Sequence, residues 1–444
     1  MDLQEFLQRL EKNGDLRRIK RSVDTNLEVA ALVRREFVRQ DGKAILFEQV
    51  QGSPFPLVVN LFGSARRMSQ LLRCRDLEHF TEQIEQLLNS EQGSAVERLR
   101  KLSVKSESVV TIEPRCQYRV LENLSSLPAL KTWPRESGRY FTLPLVITKH
   151  PQTGTHNFAI YRGQIIDEQH IALNFSAGSG AAEHLAVAHK NNLPLSVALV
   201  FGSDPALYWL ASAPIPTACD ELAIYRRLFS TLLSITTCVS QQLNVPADAE
   251  FVIEGEINPG ETCFEGPFGN HTGCYVTRDD CPLLRVTSIT CRDNPIMPAT
   301  VVGPPPSENV FLAKTSVCLL RQMLKIDFPQ IIDLEMPEMT IFHGVALLSI
   351  HRQSSKAVKQ LVEALWADSP LQKSKLLILL DSDIDLQDFS TAYWRLINRI
   401  DEKRIYRNGK RLAIDATGVD PKILVVEDEQ TIKQLRPRFA DFNL

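Results

Sequence analysis

Between about residues 115 and 305 the chain is divided into short apolar runs by proline, glycine and asparagine, and that texture limits what it can fold into. PLVITK, FAIYRGQII, IALNF, LSVALVF, FVIEGEI and LLRVTSI are of strand length, and helical stretches between them are few. A barrel-like β domain with helical insertions is the arrangement such a pattern predicts.

The flanks read differently. Leu3, Phe6, Leu7 and Leu10 fall at helical spacing, so a helix over 2–12 is expected, ending near Asn13 and Gly14. A helix through LEVAALVRREFVRQ, the apolar runs AILFEQV and PLVVNLF, and a helical stretch after Gly63-Ser64 make residues 1–114 a small α/β domain. The charged, helical stretch 85–110 reads as its connector to the β domain over 115–305. GPPPSEN at 303–309 breaks the chain again, as a linker would. Helix-like KTSVCLLRQML and SKAVKQLVEALWA then alternate with strand-like VALLSI and KLLILL, predicting a second α/β domain over 306–444. The expected class is α+β and multidomain.

Composition narrows the partners. Fifty basic residues stand against 53 acidic ones, a net charge of -3, so no field strong enough to gather nucleic acid or anionic lipid follows. Hydrophobic residues at 44% and charged residues at 23% suit a soluble folded chain. No segment approaches the roughly 20 apolar residues that span a bilayer, and the N-terminus lacks a signal-peptide run, so a cytoplasmic protein is expected. Nine scattered cysteines, an odd number, point to reduced thiols. Cys274 and Cys281 belong to no CxxC pair, so no zinc site is expected there.

Three segments could carry chemistry. In Glu265-Gly266-Pro267-Phe268-Gly269-Asn270-His271-Thr272-Gly273-Cys274-Tyr275, glycine and proline fix a tight path that would hold a carboxylate in place; a polar turn explains the same string equally well. In Asn157-Phe158-Ala159-Ile160-Tyr161-Arg162, strand alternation points Asn157, Ala159 and Tyr161 one way and Arg162 the other, unless a bulge or bend intervenes. The third, Ala211 to Glu221, is a proline-stiffened loop entering a helix. Asn157 and Glu221 offer an amide oxygen and a carboxylate, hard ligands that Mg²⁺ or Mn²⁺ accepts beside a phosphate. An acidic first helical turn is also what the helix dipole favours, which explains Glu221 without a ligand. Gly178-Ser179-Gly180, opening a helix, could hold phosphate through its N–H groups, although GSGAAE lacks the last glycine of a dinucleotide fingerprint. Asp381-Ser382-Asp383-Ile384-Asp385 imitates a calcium loop but has Leu386 and Ala392 where glycine and glutamate belong. Lys375, just before that strand, is a weak candidate for reaching a cofactor.

Taken together, NxxxYR, the ASAPxP loop with its acidic helix start, AEFVIEGEI, EGPFG, TGxY, DSDIDLQD and AIDATG resemble the UbiD family in order and spacing over nearly the whole chain. The resemblance implies decarboxylation of aromatic or α,β-unsaturated carboxylic acids, including quinone precursors, with prenylated flavin mononucleotide made by a partner flavin prenyltransferase. It also implies an N-terminal α/β domain, a central flavin-binding split β-barrel and a C-terminal α/β assembly domain, hence a homo-oligomer. A prenylated substrate would add peripheral membrane contact. By the same resemblance, Asn157 and Glu221 are metal ligands, and Asn157, Ile160, Tyr161, Arg162 and Glu221 hold the cofactor. Ser212, Ala213 and Pro214 lie along the flavin, while Arg162 and Glu265 are catalytic, with Glu265 as the acid.

Two positions depart from the family pattern. Asn270 stands in the catalytic set where the family has a second glutamate, and it cannot exchange a proton at neutral pH. Ser176 or Ala177 stands where the family has a metal-binding histidine. His170, His184 and His271 are the nearby imidazoles that could compensate. A catalytically degenerate relative, acting as a binding, assembly or regulatory subunit, is the alternative reading.

Overall fold

The computed structural model describes residues 1–39, 42–104, 109–111, 113–217, 219–340, 344–418, 425 and 428–438. These form two compact units, one of Met1–Pro329 with Met336–Gly344, the other of Gln330–Glu335 with Val345–Leu444.

The first unit begins with the predicted helix, Leu3–Lys12, which buries Leu3, Phe6, Leu7 and Leu10. It starts where it does because Asp2 and Glu5 form a reciprocal capping box that satisfies two otherwise unpaired N–H groups. A four-stranded sheet follows in the order Leu16–Ile19, Ala44–Phe47, Leu57–Val59 and Met297–Ala299. The last strand comes from the far end of the β region, so the N-terminal residues do not complete their own sheet. The fully buried Glu250 ties the same two regions together, accepting from Gln4 Nε2 at 3.0 Å, Ile296 N at 2.8 Å and Arg292 Nη1 at 3.3 Å.

The β region is one large antiparallel sheet curled into a half-barrel. Its main path runs Tyr140–Phe141, Gly163–Ile165, His170–Leu173, Tyr275–Cys291, Ala249–Ile257, Leu195–Gly202, Leu145–Lys149 and His156–Ile160, with Thr262–Gly269 hairpinned onto Tyr275–Cys291. Turn residues between short apolar runs had predicted this curled sheet. The stretch predicted as a connector is instead structural: helices Leu77–Asn89 and Ala95–Leu102 pack on Asn309–Asp327. Phe80, Ile84, Leu88, Leu99, Leu312, Leu319 and Met323 share one core, and the Ala95 N–H donates to Asp327 Oδ1 at 2.8 Å. That helix therefore packs with the first unit, on the far side of the proline-rich break at which a boundary was expected.

The second unit carries a five-stranded sheet ordered Ile331–Glu335, Val345–Ile350, Leu376–Asp381, Arg411–Asp415 and Ile405–Asn408, with parallel central pairings, plus helices Ser355–Ala367 and Phe389–Arg399. Its calcium-like run is satisfied internally, because Arg395 Nη2 donates to Asp383 Oδ2 at 2.9 Å and the Gly418 N–H to Asp381 Oδ1 at 2.9 Å. Lys375, before the strand Leu376–Asp381, is exposed and lies in this unit.

Trp133 joins the loops beside the large sheet. Its Nε1 donates to Val302 O at 2.8 Å, and the Arg34 guanidinium lies 4.3 Å from its ring centre. A Cβ at Gly269 would stand 2.2 Å from Trp133 Cδ1, and one at Gly303 2.6 Å from Cζ2, so only glycine lets both loops approach the indole. Gly269→Ala and Gly303→Ala should each lower unfolding free energy by roughly 1–3 kcal/mol, as overpacking typically does. Denaturant melts showing no loss would disprove the clamp.

Candidate active-site cavity

The centre of the candidate site is a buried ion pair. Arg162, at the corner between strands His156–Ile160 and Gly163–Ile165, donates from Nε to Glu265 Oε1 and from Nη2 to Glu265 Oε2, both at 2.8 Å. Asn174 Nδ2 donates a third bond to Glu265 Oε2 at 2.8 Å, and the Asn174 N–H reaches back to Arg162 O at 3.2 Å. Glu265 is fully buried and Arg162 is 21% exposed at the side chain. Both carboxylate oxygens of Glu265 are thus engaged by donors. The pair is held from outside as well. Gln164 Oε1 accepts from the Gly266 N–H at 2.8 Å and from Tyr140 Oη at 3.0 Å, and Ser137 Oγ donates to Gly266 O at 2.6 Å.

Arg162 opens onto a cavity of about 310 Å³, walled by Leu143, Ile160, Phe268, Val310 and Leu312, with Tyr161, Asn174, Ser212 and Lys314 also in its lining. The Arg162 guanidinium lies 4.3 Å from the Phe268 ring centre, and Phe268 leans on Tyr140 at 4.8 Å. Lys314 is neutralised by an ion pair with Glu338, which also lines the cavity. Glu265 is absent from the lining residues: it stands behind Arg162.

Asn157, on strand His156–Ile160, and Glu221, at the start of helix Glu221–Phe229, stand near each other, because Glu221 reaches the neighbouring residue Phe158. Phe158 N approaches Glu221 Oε1 at 3.5 Å, a long contact, and the helix Glu221–Phe229 is capped by Asp220. Glu221 is thus free of capping and turns inward, where burial pushes its carboxyl up to about 8. Asn157 Nδ2 and Glu221 Oε2 are both buried without a hydrogen-bond partner among the described residues. Asn157 also packs on the N-terminus of helix Gly180–Lys190, since a Cβ at Gly180 would fall 2.2 Å from Asn157 Oδ1. Tyr161, five ångströms from Phe175 by ring centres, has Ser179, Ala181 and Asn157 as polar neighbours, and burial raises its phenol. A cation with a bound phosphate fits this donor set: Glu221 Oε2 needs a positive partner, Asn157 can turn its amide oxygen over, and N–H groups of the helix face an anion. Among the described residues no cluster of three His, Cys, Asp or Glu side chains stands ready for a metal. Phosphate oxygens and water would complete the shell of a hard ion here, which zinc would not choose.

The other expected residues are placed as follows. Ile160, Tyr161, Arg162 and Ser212 line the cavity, while Ala213 and Pro214 are half-buried in the loop beyond and are not in its lining. Ala218, in the same loop, lies outside the described residues. Asn270 also lines the cavity, but its Oδ1 accepts from the Thr272 N–H at 2.7 Å and from Thr272 Oγ1 at 2.5 Å, closing its own turn. Ser176 lines the cavity. His170 is bound to Asp167 at 2.9 Å and His184 Nδ1 to Thr148 Oγ1 at 2.8 Å; neither reaches the cavity lining, whereas His271 does. Cys274 and Cys281 are free thiols, one exposed and one buried. Sequence reasoning missed Asn174, Lys314 and Glu136. The Glu136 carboxylate accepts from the Thr132, Trp133 and Gly269 N–H groups at 2.6, 3.1 and 3.1 Å, and so anchors the loop that carries Asn270 and His271. Asn174 was visible only as the fourth letter of IALNF, where nothing marked it as a donor.

Comparison with known proteins gives the family and the fold. Three family models cover the chain: the N-terminal, Rift-related and C-terminal domains of 3-octaprenyl-4-hydroxybenzoate carboxy-lyase, matching residues 7–87, 108–305 and 310–421. An uncharacterized protein of Archaeoglobus fulgidus is 34% identical over 91% of this chain and 85% of its own length, and one of Aquifex aeolicus is 31% identical over 91% and 85%. The chain belongs to the UbiD family. Among solved structures, the vanillic acid decarboxylase of Sedimentibacter hydroxybenzoicus in closed form matches with a TM-score of 0.87 at 23% identity, covering 99% of this chain and 98% of that one. The UbiD-class enzyme HmfF of Pelotomaculum thermopropionicum, in complex with prFMN, matches with 0.82 at 23% identity over 97% and 98%. The fold is that of the UbiD-class decarboxylases.

Two outcomes are expected. Arg162→Met leaves a buried carboxylate without its cation and should cost roughly 3–5 kcal/mol, most of it recovered in Arg162→Met/Glu265→Leu; a double mutant no more stable than the single one would contradict this. Because the folded protein holds the Glu221 proton up to about pH 8, the stability linked to it is full below the unfolded carboxyl range and is lost as pH rises toward 8. In metal-free protein Glu221→Gln should remove that decline from melts taken between pH 5 and 8, and an unchanged slope would refute the assignment.

Proposed function

We propose that this chain is a carboxy-lyase of UbiD type, acting on aromatic or α,β-unsaturated carboxylic acids, quinone precursors among them, with prenylated FMN and a divalent Mg²⁺ or Mn²⁺. The observation that carries this reading is the Arg162–Glu265 pair set behind an apolar cavity, one corner away from the Asn157–Glu221 pair. The neighbours named for prFMN and for vanillic acid decarboxylation support it. Membership of a carboxy-lyase family does too.

When bound, prenylated FMN would supply the electron sink that lets CO₂ leave an unsaturated carbon. The chain's own residues do the rest. Arg162 spends Nε and Nη2 on Glu265, which leaves Nη1 for a substrate carboxylate at the cavity wall. Glu265 and Asn174 orient the guanidinium and keep it from following the substrate. Leu143, Ile160, Phe268 and Leu312 exclude water, and a carboxylate whose charge leaves as neutral CO₂ gains from that exclusion. Asn157 and Glu221 would hold the cation, and helix Gly180–Lys190 would receive the flavin phosphate. Ser212, at the cavity rim, would lie along the ring with Ala213 and Pro214 behind it. A flavin prenyltransferase would supply the cofactor. No helix among the described residues is long and apolar enough to cross a membrane. A homo-oligomer in the cytoplasm fits that reading.

Co-expression with a flavin prenyltransferase should give protein whose absorbance and mass show prenylated FMN, and which releases CO₂ from one or more aromatic acids. Arg162→Lys should reduce that release about 100-fold or more, in the range seen when one charge-stabilising donor is removed. Chelation before loading should abolish flavin retention. Tight flavin binding with no CO₂ from any acid tried would favour a binding subunit over an enzyme.

A further inference from the structure

Decarboxylation ends with a proton placed on carbon, and the carboxylates expected to manage it are occupied elsewhere. Glu265 is fully buried behind Arg162, both oxygens hold donors, and it does not line the cavity. Asn270 does line it but has no proton to exchange, and its oxygen is closed into its own turn by Thr272. Glu338 is engaged by Lys314. His271 remains: its imidazole lines the same cavity, and no hydrogen bond to the protein holds it among the described residues. The backbone beneath it is firm, because Glu136 fixes Gly269 at 3.1 Å and Trp133 packs on that glycine.

Resting on the proposed carboxy-lyase reading, we infer that His271 is the proton-exchanging catalytic residue of this cavity, taking the place that a second carboxylate would fill. The C–COO⁻ bond breaks and CO₂ departs, its bonding electron pair staying with the substrate. The imidazolium N–H bond then breaks as a C–H bond forms, and neutral imidazole recovers its proton from solvent. The sum is RCOO⁻ + H⁺ giving RH + CO₂. The groups facing His271 set its charge. Partial burial, and then the charge of Arg162 in the same lining, hold the imidazole below its ordinary range, so it is neutral near pH 7. Lys314 and Glu338, also in the lining, offset each other, Tyr161 stays protonated, and Glu265 lies behind Arg162. An arriving carboxylate supplies the missing negative charge and draws a proton onto the ring.

The test compares wild type, His271→Asn and His271→Ala, each loaded by co-expression with the prenyltransferase. Benzoate is the first probe, in calorimetry at pH 7.5 in two buffers of different ionisation enthalpy. Wild type should take up a proton on binding, and His271→Asn should bind within about threefold without uptake. With an acid the enzyme accepts, kcat of His271→Asn should fall 10²-fold or more, the range of general-acid catalysis, while KM stays within threefold. The wild-type fall in kcat at high pH, where the imidazolium is lost, should vanish in the mutant. Added imidazole should restore part of the His271→Ala rate, which a merely misfolded protein would not show. Unchanged kcat, uptake and pH limb in His271→Asn would overturn the role, as would loss of the same limb in Glu265→Gln alone. In those cases wild-type CO₂ release keeps the carboxy-lyase reading standing. Wild type that releases no CO₂ brings down both.

Discussion

A guanidinium and a carboxylate locked face to face under a curled sheet are what the site depends on. Arg162, at a strand corner, and Glu265, on the strand Thr262–Gly269, are far apart in the chain, and their two 2.8 Å bonds fix where the sheet can close. Burying Glu265 completely is tolerable only because three donors meet it, and breaking that set would leave a charge in an apolar wall. The same lock turns the rest of Arg162 toward the cavity. Stability and the proposed chemistry therefore share one pair of side chains.

Much of the fold was legible in the sequence because its signals are local. Leu3, Phe6, Leu7 and Leu10 announce a helix wherever they are placed, and short strands between turn residues announce a curled sheet. What was not legible depends on which surfaces meet. Nothing in MPA at 297–299 says that it completes the sheet begun at Leu16, and nothing in the helix Asn309–Asp327 says that it packs on Leu77–Asn89.

The site divides along the same line. Arg162 and Glu265 could be paired from family resemblance, and the structure puts them in contact; Glu221 reaches Phe158, the residue after Asn157, and among the described residues Glu221 Oε2 and Asn157 Nδ2 have no hydrogen-bond partner. Their roles were harder to read. Asn270 and His271 are neighbours in one loop, and only hydrogen bonding shows that Asn270 closes the turn while His271 stays unbound in the cavity. Asn174 and Glu136 act through bonds to residues remote in sequence, which no spacing rule reveals.

Crystals of the protein with FMN and Mn²⁺, measured at the manganese absorption edge, put the account to its hardest trial. It predicts an anomalous peak bonded to Glu221, Asn157 and a flavin phosphate oxygen near the start of helix Gly180–Lys190, with the isoalloxazine in the cavity beside Arg162. Manganese bound elsewhere, or a flavin ring lying outside that cavity, would contradict it.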